Sequence, residues 1–183
     1  MIAAVLAKRS GRFPGKHMCR IDGGTLIGTV VSALLAAGTF DDVVVFTKDP
    51  DVKAEGARIL RDTASGTALD SIASLLESFG EVFVAAGDMP LISRDFIREM
   101  LSMYRGYPLF PVHSDGRIEP LHGIYNSTMA AALGEYRESG CKSLRGLIRS
   151  CRHDTVLIGA VYENSFFNIN YKEDLESLKI LKK

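Results

Sequence analysis

Two stretches of the chain combine residue types that could do chemistry. The first is Ala7-Lys8-Arg9-Ser10-Gly11-Arg12-Phe13-Pro14-Gly15-Lys16-His17, which holds four cations and two glycines in eleven residues. Glycines let backbone approach a phosphate chain closely, and Arg and Lys neutralise its charge. The glycine spacing matches neither the Walker A loop nor the dinucleotide fingerprint, so a triphosphate site fits best. The second stretch is Gly87-Asp88-Met89-Pro90-Leu91-Ile92-Ser93, which follows a fully apolar run. A carboxylate at such a strand end can hold Mg²⁺ against triphosphate oxygens, because Mg²⁺ prefers hard oxygen ligands. Ser93 already stands where a helix cap is needed, which leaves Asp88 available for the ligand.

The elements that must position these stretches read as alternating strands and helices. Ile2 to Leu6 is a continuous apolar run of the kind buried on both faces of a parallel sheet, and the basic loop leaves its end. Leu26 to Ala37 reads as a helix stopped by Gly38. Strands are expected at Val43 to Phe46, Ala57 to Leu60 and Glu81 to Ala86, the last delivering Asp88. Ser65-Gly66-Thr67 opens a helix capped by Thr67 and reaching about Ser78, and Ser93 caps another over Arg94 to Tyr104. Leu109 to Val112, Leu121 to Tyr125, Thr155 to Ile158 and Phe166-Phe167 read as strands. Helices are expected from Ser127, over Leu144 to Arg149, and from Glu173 onward. This alternation implies a doubly wound α/β fold, a mostly parallel sheet flanked by helices, with ligands beyond the carboxyl ends of the strands.

With 183 residues, the chain is expected to form one domain, residues 1–183. Its 22 basic and 22 acidic side chains balance, which argues against broad nucleic-acid binding. Cys19, Cys141 and Cys151 are too scattered for a disulfide framework or a zinc site and suit a reducing cytoplasm. At the amino terminus Lys8 and Arg9 follow the apolar run, the wrong order for a signal peptide. Thr25 to Phe40 falls short of a membrane span, so no membrane association is expected.

The first loop resembles the signature loop of nucleotidyltransferases, which move a nucleoside monophosphate from its triphosphate onto an acceptor and release pyrophosphate. Leu6, Ala7, Ser10, Arg12, Gly15 and Lys16 fit the loop of the molybdenum cofactor guanylyltransferases, with Phe13 in place of the usual Met. Lys8 and Arg9 stand where that family has two glycines, and the loop is about one residue shorter. The run from Arg9 to Lys16, followed by Ile21, Gly24 and Leu26-Ile27, is also similar to the loop of sugar-acid cytidylyltransferases. Gly87-Asp88-Met89-Pro90 is nearly identical to the guanylyltransferase turn. Glu119-Pro120-Leu121-His122-Gly123-Ile124-Tyr125 resembles that family's acceptor segment, and Phe167-Asn168-Ile169-Asn170 its closing Asn-x-Asn motif. Asp62 and Gly66 fall, more loosely, at its loop beside the base and sugar. The resemblance runs from Ile2 to about Leu178.

The resemblance implies a guanylyltransferase that joins GMP from GTP to molybdopterin with Mg²⁺. Arg12 and Lys16 would neutralise the triphosphate, Asp88 would bind the metal, and Asn170 would complete the metal or phosphate site. Leu6, Ala7, Lys8, Arg9, Ser10, Gly11, Gly15, Asp62 and Gly66 would line the nucleotide. Glu119, His122, Tyr125, Asn168 and Asn170 would face the acceptor. Lys8 and Arg9 would turn outward or meet phosphates, leaving base discrimination to backbone at Leu6 and Ala7 and to the loop near Gly66. Two alternatives stay open: another phosphorylated acceptor, such as a cobinamide phosphate or a sugar phosphate, served from GTP or CTP, and a regulatory module that binds nucleotide without turnover. His17, His113 and His153 show no metal-ligand spacing, and Ser10 lacks the flanks of a nucleophile elbow. Met89, Met100 and Met103 read as core, and Lys179, Lys182 and Lys183 as a solvated helix end.

Overall fold

A computed structural model of the chain describes residues 1–64 and 66–181. Ser65, Lys182 and Lys183, named above, lie outside the described residues. The strands are β1 (Ile2–Ala7), β2 (Arg20–Ile21), β3 (Gly24–Thr25), β4 (Val43–Thr47), β5 (Arg58–Arg61), β6 (Glu81–Ala86), β7 (Leu109–Val112), β8 (His122–Asn126) and β9 (Asp154–Leu157). The helices are α1 (Leu26–Ala37), α2 (Ala68–Phe79), α3 (Arg94–Met103), α4 (Ala130–Glu138), α5 (Leu144–Ser150) and α6 (Asp174–Leu181).

Seven strands form one sheet in the order β5-β4-β1-β6-β8-β7-β9. Parallel pairing joins β5, β4, β1 and β6, while β8 runs antiparallel to both β6 and β7. The chain moves from β1 outward to β4 and β5, then crosses back to β6 on the other side of β1. Strand order therefore reverses between β1 and β6, where a crevice must open at their carboxyl ends. Alternate residues of β1 serve the two faces. Ala3, Val5 and Ala7 pack with Ile27, Val30 and Leu34 of α1 and Phe96, Ile97 and Met100 of α3. Ala4 and Leu6 pack with Leu69, Ile72 and Leu76 of α2, Leu133 of α4 and Ile148 of α5.

Helix ends follow local chemistry. The Thr25 hydroxyl accepts the Gly28 N–H at 3.1 Å to start α1, and Gly38, at φ 67°, stops it. Three expectations need correction, and one element goes beyond them. Phe166-Phe167 is not a strand: residues 160–166 wind as a 3₁₀ helix and bury Phe166 among aromatic rings. The β2–β3 ribbon was not expected, although Asp22-Gly23, both at positive φ, is a two-residue hairpin turn readable in sequence. Ser127 opens a 3₁₀ turn, and α4 itself starts at Ala130. Met103 is 44% exposed and is not core.

Candidate active site

The crevice between β1 and β6 is closed at its base by one hydrogen bond, Gly87 N–H to Leu6 carbonyl at 3.0 Å. Gly87 is needed there. A Cβ would stand 2.8 Å from Ile27 Cδ1 and 3.1 Å from the Leu6 carbonyl oxygen. Above it lies a cavity of about 310 Å³, walled by Leu6, Lys8 to Arg12, Lys16, His17, Ala68, Ala86, Asp88, Leu121 and Asn170.

Local bonds shape the basic loop. Ser10 Oγ accepts the Phe13 N–H at 3.1 Å and so holds the turn. Gly15, at φ 69°, swings the chain into the 3₁₀ turn Lys16–Met18. That turn buries Lys16, which is only 6% exposed. Its ammonium donates to Asp88 Oδ2 at 2.5 Å and to the Ile169 carbonyl at 3.0 Å. Ile169 N–H in turn donates to the Asp88 carbonyl at 2.9 Å, so the segment around 169 is latched to the acidic turn. Asp174 Oδ2 accepts the N–H groups of Asn170 and Tyr171 at 2.7 and 2.8 Å and fixes Asn170 at the cavity wall. Arg12 lies over the Tyr171 ring at 5.2 Å and donates to its hydroxyl at 3.0 Å. Arg9 pairs with Asp49 at 3.6 Å, on the rim.

Metal capacity follows from the same geometry. Among the described residues no cluster of three or more His, Cys, Asp or Glu could cage a metal. Asp88 Oδ1 and the Asn170 side-chain amide, both at the cavity, carry no hydrogen bond among the described residues. One carboxylate and one amide oxygen suit Mg²⁺, which takes few protein ligands and fills its shell with water and phosphate oxygens. His17 walls the same cavity but is pushed down to about 4, first by burial and then by Lys16, so it stays neutral near pH 7.

The structure gathers Leu6, Lys8, Arg9, Ser10, Gly11, Arg12, Lys16, Asp88 and Asn170 around one cavity. The other named residues stand elsewhere. His122 is fully buried, its ring against Phe83, Phe96 and Phe166, and burial pushes it down to about 3. Tyr125 is also fully buried and donates its hydroxyl to the Pro120 carbonyl at 2.8 Å. Neither can face an acceptor, because helices cover both faces of β8. Glu119 is buried too, hydrogen-bonded to His113 Nε2 at 3.0 Å and paired with Arg117. Asn168 turns inward to the Phe166 carbonyl at 2.9 Å. Asp62 is buried and organises its own loop, accepting from Ala64 N–H at 3.0 Å and Ser71 Oγ at 2.7 Å. Ala7, Gly15 and Gly66 are not on the cavity wall. Sequence reading missed His17, Ala68, Ala86 and Leu121. The direct neighbour of Lys16 could have been flagged, whereas the three apolar residues carry no chemical signal.

A basic glycine loop and an acidic turn facing each other across a topological switch point define a nucleotide-handling α/β protein. Residues 2–156 match the family model described as the MobA-like NTP transferase domain, and the chain belongs to that family of nucleotidyltransferases. Over 189 residues it is 34% identical to a protein of Thermococcus gammatolerans named as a probable molybdenum cofactor guanylyltransferase, covering 97% of this chain and 98% of that one. The fold is that of molybdopterin-guanine dinucleotide biosynthesis protein A from Archaeoglobus fulgidus, with a TM-score of 0.78, 23% identity, and 100% and 98% of the two chains covered. A 3-deoxy-manno-octulosonate cytidylyltransferase of Synechococcus elongatus is 34% identical over 116 residues, which are 57% of this chain and 47% of that one. Among the described residues no helix is long and apolar enough to cross a membrane.

Proposed function

We propose that this nucleotidyltransferase moves GMP from GTP to the terminal phosphate of molybdopterin and releases pyrophosphate. The observation that carries the reading is the convergence of Arg12, Lys16, Asp88 and Asn170 at one cavity, in a chain similar over its full length to named guanylyltransferases. An acceptor phosphate oxygen attacks the α-phosphorus, and pyrophosphate leaves from the opposite side. Positioning and charge neutralisation do most of the work in such a step. Arg12 reaches the triphosphate from the rim, its plane already set by Tyr171. Lys16 is held by Asp88, and triphosphate oxygens compete for it. Their arrival draws the ammonium from the carboxylate and frees Asp88 Oδ2 beside the already open Oδ1. Asp88 and Asn170 would hold Mg²⁺, which when bound neutralises charge developing on the α-phosphate and the leaving pyrophosphate.

The test is to incubate the protein with Mg²⁺, GTP and molybdopterin, singly and together, and to follow pyrophosphate and the dinucleotide product. The reading requires both products only when all three are present. Tight GTP binding without pyrophosphate, over a wide panel of phosphorylated acceptors, replaces it with a nucleotide-binding regulatory role. A cytidylyl reading is favoured by one observation, the 116-residue likeness to a cytidylyltransferase. CTP binding at least tenfold tighter than GTP, about 1.4 kcal/mol, selects it.

A further inference from the structure

The cavity has two chemically different ends. At the β6 end stand Lys16, Asp88 and Asn170, with Arg12 on the rim, and these suit phosphate and cation. At the other end, toward β4, β5 and the start of α2, stand Lys8 and Ala68. The charged groups facing Lys8 there are Lys48, Asp62 and Asp70. Each of these three is already engaged. Lys48 donates to the carbonyls of Ala64 and Gly66, Asp62 accepts from Ala64 and Ser71, and Asp70 accepts from Thr67 and pairs with Arg137 at 3.3 Å. Lys8 alone of this group makes neither hydrogen bond nor ion pair among the described residues. It is half-buried, and its ammonium is held below its ordinary range by burial and then by Lys48.

We propose that Lys8 reads the nucleobase, selecting rings with an oxo group at the six position of a purine over rings with an amino group there. The proposal rests on the nucleotide reading of the cavity. With the phosphates at Lys16 and Asp88, the base must extend toward the opposite end. The ammonium groups of Lys8 and Lys48 there are balanced by the carboxylates Asp62 and Asp70, so this end offers a phosphate no net positive charge, and a neutral base suits it better. An ammonium is a donor only. Guanine offers it two adjacent acceptors, O6 and N7, while adenine pairs one acceptor with an amino group, and cytosine offers an amino group on the equivalent edge. A half-desolvated cation strengthens the difference, because a mismatched amino group leaves it unpaired. Lys8 therefore contributes to base choice directly, where the sequence alone suggested only a phosphate contact or an outward turn.

Inosine triphosphate and ATP share every phosphate and differ at the six position. Equilibrium binding of both is measured in Mg²⁺, without acceptor, for the wild-type chain, Lys8→Met and Lys8→Arg. The proposal requires the wild type to favour inosine triphosphate at least tenfold, about 1.4 kcal/mol. Lys8→Met must bring the two within about threefold by weakening inosine triphosphate alone. Lys8→Arg, which keeps the donors, must retain the preference and shows that the loop still folds. Equal weakening of both nucleotides by Lys8→Met places the ammonium on phosphate and overturns the proposal, as does no change in either. Failure of the wild type to bind any triphosphate overturns the nucleotide reading itself. Failure to transfer GMP, with the base preference intact, overturns only the proposed reaction.

Discussion

Replacing Asp88 by Asn tests the ion pair at the centre of the site. The substitution keeps the shape of the side chain and removes its charge. Lys16 and Asp88 side chains are 7% and 19% exposed, and their ammonium–carboxylate contact is 2.5 Å. Asp88→Asn leaves a buried ammonium with the Ile169 carbonyl as its strong acceptor. Breaking a fully buried pair from one side costs about 3–5 kcal/mol, and the partial exposure of Asp88 lowers this to about 2–3 kcal/mol. For a chain of this size that is a fall in Tm of about 4–12 °C. The double variant Lys16→Met, Asp88→Asn removes both charges, and an uncharged side chain of similar volume restores most of the loss. Neither variant should transfer nucleotide. Thermal unfolding followed by circular dichroism, in metal-free buffer, reads the stability effect apart from catalysis. A single variant within about 1 °C of wild type, or a double variant no more stable than the single, refutes the pairing argument.

Burial holds His122 neutral, so the unfolded chain takes up a proton below its ordinary value of 6.5 that the folded ring refuses down to about 3. Stability tied to this ring is complete above about pH 6.5 and declines as pH falls, at about 1.4 kcal/mol per unit. His122→Phe, in its aromatic surroundings, should shrink the stability loss between pH 7 and pH 5 by about 2 kcal/mol in urea titrations, and equal losses in both proteins refute it. Gly87→Ala should destabilise by about 1–3 kcal/mol, since its Cβ meets Ile27 and the Leu6 carbonyl; an unchanged Tm counts against the close approach. Arg12 is exposed, so Arg12→Ala should change stability by less than about 0.5 kcal/mol while lowering turnover at least about tenfold. Undiminished turnover removes Arg12 from the phosphate end.

Local chemistry alone determined much of this protein. The apolar runs at Ile2 to Leu6 and Glu81 to Ala86, the caps at Thr67 and Ser93, and the stop at Gly38 act within a few residues of themselves, so they are readable without a fold. The loop from Lys8 to Lys16 and the turn at Asp88 were readable for the same reason, since residue type and a strand end suffice to mark them. Tertiary structure decided which residues of a motif can reach a ligand. His122 and Tyr125 sit in one apparent acceptor motif, yet they point to opposite faces of β8, each covered by its own core cluster. No spacing rule reveals that both faces are closed, because the covering helices lie elsewhere in the chain. Lys16 looked free to meet phosphate, but the sheet order brings Asp88 and Ile169 against it from 72 and 153 residues away. Asp62 likewise became a loop anchor through Ser71. Composition marks a side chain as charged, whereas the charges and carbonyls that surround it, and so what it is free to bind, depend on which distant strands become neighbours.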